Sequence, residues 1–214
     1  TGNAIAKVAA KCMIGKKLKI AKLLPWKGNN KVAVKEAVFP FKRFKGVDVL
    51  LGPEMKSTGE VMGLDHNFGH AFAKAQMATG TSIPLQGNVF ISVKDKDKNF
   101  ILEICKKLIN FGYEINCTKG TGEVLKKKGL KVKIVNKVRE GRPHIVDLIK
   151  NNKIDLIFNT TEGSQSISDS FSLREAALLS NIPYYTTISG CNAVILAIKK
   201  LKSSKSNIKA LQSY

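Results

Sequence analysis

The sequence predicts an α/β fold: a five-stranded parallel sheet with helices on both faces, preceded by a smaller α+β segment. Two observations carry this. From residue 87 onward, short β-branched runs alternate with stretches whose apolar residues recur at helical spacing, the order that yields parallel strands joined by right-handed crossovers. Residues 1 to 86 break that rhythm, and the stretch TGTSIPLQG (79–87) has the Thr, Ser, Pro and Gly chemistry of a boundary. The expected division is therefore 1–86 and 87–214.

In the first segment a helix is expected within AIAKVAAKCMIGKKL (4–18) and extended runs within KVAVKEAVFPF (31–41) and GVDVLLGPEM (46–55). A loop follows at KSTGEVMG (56–63), and a second helix within NFGHAFAKAQMATG (67–80). In the second segment the strands are NVFISV (88–93), YEINC (113–117), KVKIV (131–135), IDLIFN (154–159) and PYYTT (183–187). Helical faces lie between and after them. They run through Ile101, Leu102, Cys105, Leu108 and Ile109, then Ile145, Leu148 and Ile149, then Leu173, Ala176, Ala177 and Leu178, then Ala193, Val194, Ala197 and Ile198.

At 214 residues, 43% hydrophobic, the chain can bury one sizeable core. No apolar run approaches the ~20 residues of a membrane span, and the N-terminal stretch has no secretory apolar region, so a cytoplasmic protein is expected. Cys12, Cys105, Cys117 and Cys191 lie far apart with no CxxC pair, and are read as buried free thiols. The net charge of +20 raises nucleic-acid binding, since clustered cations neutralise phosphates. Yet all but four of the 36 basic residues are lysines, which lack the planar fork suited to base edges. The charge is read as a lysine-rich surface with a few cations kept for an anionic small molecule.

In a parallel α/β sheet ligands bind beyond the carboxyl ends of the strands. Those ends here lead into KDKDKNF, TKGTGE, NKVREGRPH, NTTEGSQS and TTISGCN. Threonine hydroxyls, glycine-exposed amides and a helix N-terminus together suit a phosphate, most clearly at TKGT (118–121), with Lys98 and Lys137 on neighbouring loops. Singly, each lysine reads as a surface cation and each threonine as a helix cap; their convergence on one rim carries the reading. His66 and His70 are expected as exposed helix residues, His144 as the start of a helix behind Pro143, and Asp95 and Asp97 as a loop. No metal site and no catalytic constellation is expected, and KSTGEVMG lacks the spacing of a phosphate-binding Walker loop.

GVDVLLGPEMKSTGEVMG, FAKAQ, INCTKGTGEVL and VNKVREGRPHIVDLI strongly resemble the C-terminal end of the large chain of carbamoyl phosphate synthase. The resemblance implies that residues 1–86 close the ATP-grasp module that phosphorylates carbamate, and that residues 87–214 form a methylglyoxal-synthase-like regulatory domain. It implies UMP and IMP as effectors, with Lys98, Thr118, Thr121, Lys137, Asn159 and Thr161 at the family's nucleotide-contacting positions. It also implies an ornithine site to which Glu36 and Thr186 contribute. The remaining ornithine ligands, the ATP-binding lysines and the carboxylates for Mg or Mn would precede Thr1. This stretch alone is then expected to be catalytically inactive and to hold no cofactor. Its implied partners are the rest of the large chain and the glutaminase small chain, in a homo-oligomer, with no nucleic acid and no membrane. Two departures stand out: Ser164 and Gln165 occupy positions where some members place basic residues, and VNKVREG lacks the aspartate of the stand-alone lyases. A stand-alone phosphate-binding lyase of the methylglyoxal synthase type is the alternative, distinguished by turnover of dihydroxyacetone phosphate.

Overall fold

The computed structural model describes residues 3–21, 23, 24, 31–41 and 55–210. The extended run expected at 46–55 lies, but for Met55, outside them. The chain divides into two compact units, Thr1–Lys31 and Val32–Tyr214. In the first, helix α1 (Ile5–Met13) is followed by a 3-10 turn (Leu18–Ala21). Asn3 ties this unit together, accepting from Leu24 N (2.8 Å) and donating to Leu24 O (3.0 Å).

The second unit begins with an antiparallel ribbon of β1 (Val32–Val38) and β2 (Gly59–Asp65), in which Glu36 lies opposite Val61. Helix α2 (Phe68–Ala78) packs on β2. The approach is close because Gly63 has no side chain: a Cβ there would lie 1.9 Å from Ala71 O and 2.6 Å from Ala75 N. Asn67 caps α2, its side chain accepting from His70 N.

The five-stranded sheet is wholly parallel, in the order β5-β4-β3-β6-β7. The strands are β3 (Gly87–Ser92), β4 (Tyr113–Cys117), β5 (Lys133–Ile134), β6 (Leu156–Asn159) and β7 (Tyr184–Tyr185). Strands covered on both faces read as continuous apolar runs, and β3 and β6 do so. Val89, Ile91, Leu156 and Phe158 point into one core cluster with Ile101, Leu108, Val194 and Ile198. Phe90 and Ile157 point into the other with Ile145, Ile149, Leu173 and Ala177. Accordingly α3 (Lys98–Asn110) and α8 (Ile188–Ser203) cover one face, and α5 (Ile145–Lys150) and α7 (Phe171–Leu179) the other, α7 following directly on the short α6 (Ser164–Asp169). Complete burial of a ring such as Phe90 or Phe158 contributes about 1.5–3 kcal/mol.

Residues 32–86 and 87–210 share one compact unit, because α2 packs on α8. A Cβ on Gly69 would lie 2.5 Å from Leu196 O, and the Phe72 and Tyr185 rings are 6.5 Å apart. Across position 86/87, α2 on one side packs on α8 on the other.

Four local expectations change. The stretch expected as a loop at 56–63 forms strand β2 from Gly59 onward. His70 is buried, its ring between Asn67 Nδ2 (3.2 Å) and Ser204 O (3.2 Å), while His66 is exposed ahead of the helix. His144 is the cap outside α5: its Nδ1 accepts from Asp147 N while its own N–H donates to the Asp147 carboxylate, leaving Pro143 beyond the helix. Cys12 is exposed; the other three cysteines are buried.

Candidate functional site

The strand order reverses at β3, which pairs with β4 on one side and β6 on the other. The connections leaving β3 and β6 therefore part, and a crevice opens at the carboxyl ends of the strands. A cavity of about 540 Å³ sits there. Lys98, Thr118, Thr121, Lys137 and Asn159 line it together. Thr161 is not among the lining residues, whereas its neighbour Thr160 is. Pairing with β3 ends at Asn159, so the alternation of strand sides no longer decides which threonine turns inward.

The floor is a web of hydroxyls. Thr118 is the cap residue of α4 (Lys119–Lys127), but its side chain caps none of that helix's amides. Instead its Oγ1 lies 3.3 Å from Ser92 Oγ and 3.4 Å from Thr121 Oγ1. Thr121 Oγ1 accepts from Val93 N (3.3 Å), and Thr160 Oγ1 from Lys94 N (3.1 Å). Thr160 N donates to Ser92 O (3.0 Å), which pins the β6 connection to the β3 connection. The first α4 bond shown runs from Gly122 N to Thr118 O (2.8 Å). The N–H groups of Lys119, Gly120 and Thr121 open α4 at the positive end of its dipole, and Gly120 and Thr121 line the cavity. Lys98 reaches over this turn: a Cβ on Gly120 would lie 3.4 Å from its Nζ.

Carboxylates also line the cavity, a feature the sequence reading did not place there. Asp95 holds Lys98 (2.7 Å), Glu162 holds Lys96 (2.8 Å), and Asp169 holds Arg139 (3.0 Å). The Lys98 hydrogen bond keeps the Asp95 carboxyl below its ordinary value, and Lys96 does the same for Glu162. Ser92 and Thr160 were likewise missed as lining residues. Ser92 carried one signal, a hydroxyl at the carboxyl end of the central strand.

Asn159, 3% exposed, donates through Nδ2 to Tyr184 Oη (2.5 Å). Tyr184 lines a second cavity of about 420 Å³, beside the β1–β2 ribbon, together with Glu36, Gln76 and Tyr185. There Tyr185 Oη donates to Gln76 Oε1 (2.7 Å), and Gln76 Nε2 donates to Glu36 Oε1 (2.6 Å). Glu36 Oε2 is buried with no hydrogen-bond partner. Burial pushes the Glu36 carboxyl above its ordinary value, opposed in part by the Gln76 bond. An orphaned carboxylate oxygen in a cavity invites a cationic donor. Thr186 is exposed and does not line this cavity, although its neighbour Tyr185 does; Thr187 caps α8.

No described group of three or more His, Cys, Asp or Glu side chains could hold a metal ion. Among the described residues no helix is long and apolar enough to cross a membrane. Burial raises the Cys117 thiol to about 11 and that of Cys191 to about 12, so neither is a thiolate near neutral pH.

Residues 100–186 match the family described as MGS-like domain. The whole chain is 49% identical to part of the carbamoyl phosphate synthase large chain of Myxococcus xanthus, and 49% identical to part of that of Mesorhizobium japonicum. The aligned parts are 20% and 19% of those proteins, so the chain spans about a fifth of the relatives it matches. A methylglyoxal synthase of Elizabethkingia anophelis superposes with a TM-score of 0.44 at 17% identity, over 54% of this chain and 80% of that one, a likeness too slight to bear weight.

Proposed function

We infer, from a chain that carries an MGS-like domain and matches along its whole length the C-terminal part of carbamoyl phosphate synthase large chains, that it is the nucleotide-sensing portion of such an enzyme. One observation carries the reading. Two threonines, two lysines and the open end of α4 surround a single cavity of about 540 Å³. In this reading the phosphate of UMP or IMP rests on the α4 N-terminus between Lys98 and Lys137, with Thr118, Thr121 and Ser92 donating hydroxyls. Asn159 and the Thr160–Thr161 pair fix the ribose or the phosphate edge.

Ornithine is the second effector, its ammonium group meeting the unpartnered Glu36 oxygen, with Thr186 at the margin of that cavity. The enzyme is cytoplasmic and makes carbamoyl phosphate for pyrimidine and arginine synthesis. Its ATP and Mg or Mn belong to the remainder of the large chain, this stretch being catalytically silent. That remainder, the glutaminase small chain and further copies of the enzyme are its partners. The lyase alternative would need a free carboxylate base. Asp95 and Glu162, which line the cavity, are instead held by lysines and acidified, which makes them weak bases.

Calorimetric titration with UMP, with IMP and inorganic phosphate as competitors, tests the reading. Saturable binding is expected, weakened by at least about tenfold in Lys137→Ala, since charge-assisted bonds to an anion are the strong ones. A folded sample that binds none of the three overturns it.

A further inference from the structure

Lys98 is the cation that leans over the first turn of α4, and it is not free. Its ammonium group is 2.7 Å from Asp95 Oδ1, while the Cβ position of Gly120 lies 3.4 Å from Nζ on the other side. The lysine is 21% exposed; Asp95 is 92% exposed, held by this ion pair and otherwise open to solvent. Both residues line the cavity. Lys137, the other cation assigned to the anion, makes no ion pair among the described residues. The two lysines are thus in different states before any ligand arrives.

We propose that Asp95 is a built-in competitor for the anion seat: its carboxylate holds Lys98 until the phosphate of a nucleotide displaces it, and so sets the threshold at which the cavity fills. This rests on the nucleotide-sensing reading above and adds a residue that weakens binding to those that strengthen it. A phosphate on the α4 amides needs Lys98 for charge-assisted bonds, and Asp95 both engages that ammonium and repels the incoming charge. Specificity and threshold can be set by a repulsive element as well as by attractive ones.

The test uses the full chain, UMP and inorganic phosphate, and two variants that each remove one negative charge. Asp95→Asn is expected to bind both ligands tighter, by roughly two- to fivefold, the scale of a solvent-exposed pair. Glu103→Gln deletes the acid of a comparable ion pair, Glu103–Lys106 on α3 (2.7 Å), whose residues do not line the cavity. It is expected to leave both affinities unchanged. Equal tightening in both variants would mean a general charge effect and overturn the proposal. Unchanged affinity in Asp95→Asn overturns it too. So does loss of UMP affinity without loss of phosphate affinity, which would make Asp95 a contact to the nucleoside. In each of these outcomes the native chain still binds UMP, and the sensing reading stands. A native chain that binds neither ligand overturns both.

Discussion

Glu36 shows at the scale of one residue how a strand face and a charge conflict. On β1 it shares the less exposed face with Val32, Val34 and Val38, and one of its oxygens is buried and unpartnered. Its carboxyl titrates above the ordinary 4.5 because burial costs the charged form more than the Gln76 bond returns. A raised folded value means that the native state holds the proton longer than the unfolded chain. Stability then falls as pH rises from the ordinary value through the folded one, and the whole cost is present above that window. Glu36→Gln removes the charge and retains an acceptor for Gln76. Its stability relative to the native chain is expected to grow as pH rises through and above the ordinary carboxylate range in urea unfolding. A difference independent of pH would show that the buried oxygen costs nothing. The same substitution should abolish ornithine binding if the second cavity takes an ammonium group.

At the scale of elements, β2 and α2 are joined where a glycine leaves no room. A Cβ on Gly63 would meet backbone atoms of Ala71 and Ala75, which cannot swing aside as the tip of a side chain can. Gly63→Ala is expected to lower unfolding stability by about 2 kcal/mol or more, near the upper range for overpacking, and denaturant titration would measure it. Elements of this kind were largely legible beforehand. Each of the five strands was found by its β-branched run, and α3, α5, α7 and α8 by their apolar spacing; α4 was read only from the turn that starts it, and the short helix Ser164–Asp169 from nothing in the pattern. What was not legible came from contacts distant in sequence. Edge strand β5 keeps two residues of an expected five, because its pairing to β4 involves only Asn116 and Cys117. His70 is buried by Ser204, 134 positions away, which no helical pattern near residue 70 could announce. The site divides the same way. Lys98, Thr118, Thr121, Lys137 and Asn159 followed from where strands end and from the family's pattern. Thr160 and Ser92 depended on how two connections are tied to each other, and Asp95 on which wall its ion pair faces.

For the whole molecule, the placing of β1, β2 and α2 with the parallel sheet makes a definite statement about what folds alone. A chain of residues 32–214 keeps the Gly69–Leu196 and Phe72–Tyr185 approaches, whereas residues 87–214 lose them and expose the flank of α8. The longer piece is expected to unfold cooperatively. The shorter should melt at least about 4 °C lower, the shift that the loss of roughly 1 kcal/mol produces in a domain of this size. Equal melting by calorimetry would show that the ribbon and α2 add nothing to the sheet.

The central position of β3 also ties the cavity to the history of the chain. Lys94 and Thr160, which lace its two walls, are 66 residues apart, and the parallel pairing beneath them forms only after a long loop has closed. Closing such loops costs entropy before contacts return it, and folds built on them are slow to form. No short stretch of the chain can build that cavity by itself. A nucleotide bound there, as proposed, would arrive too late to hasten folding, and its grip would be felt as a slower return to the unfolded chain.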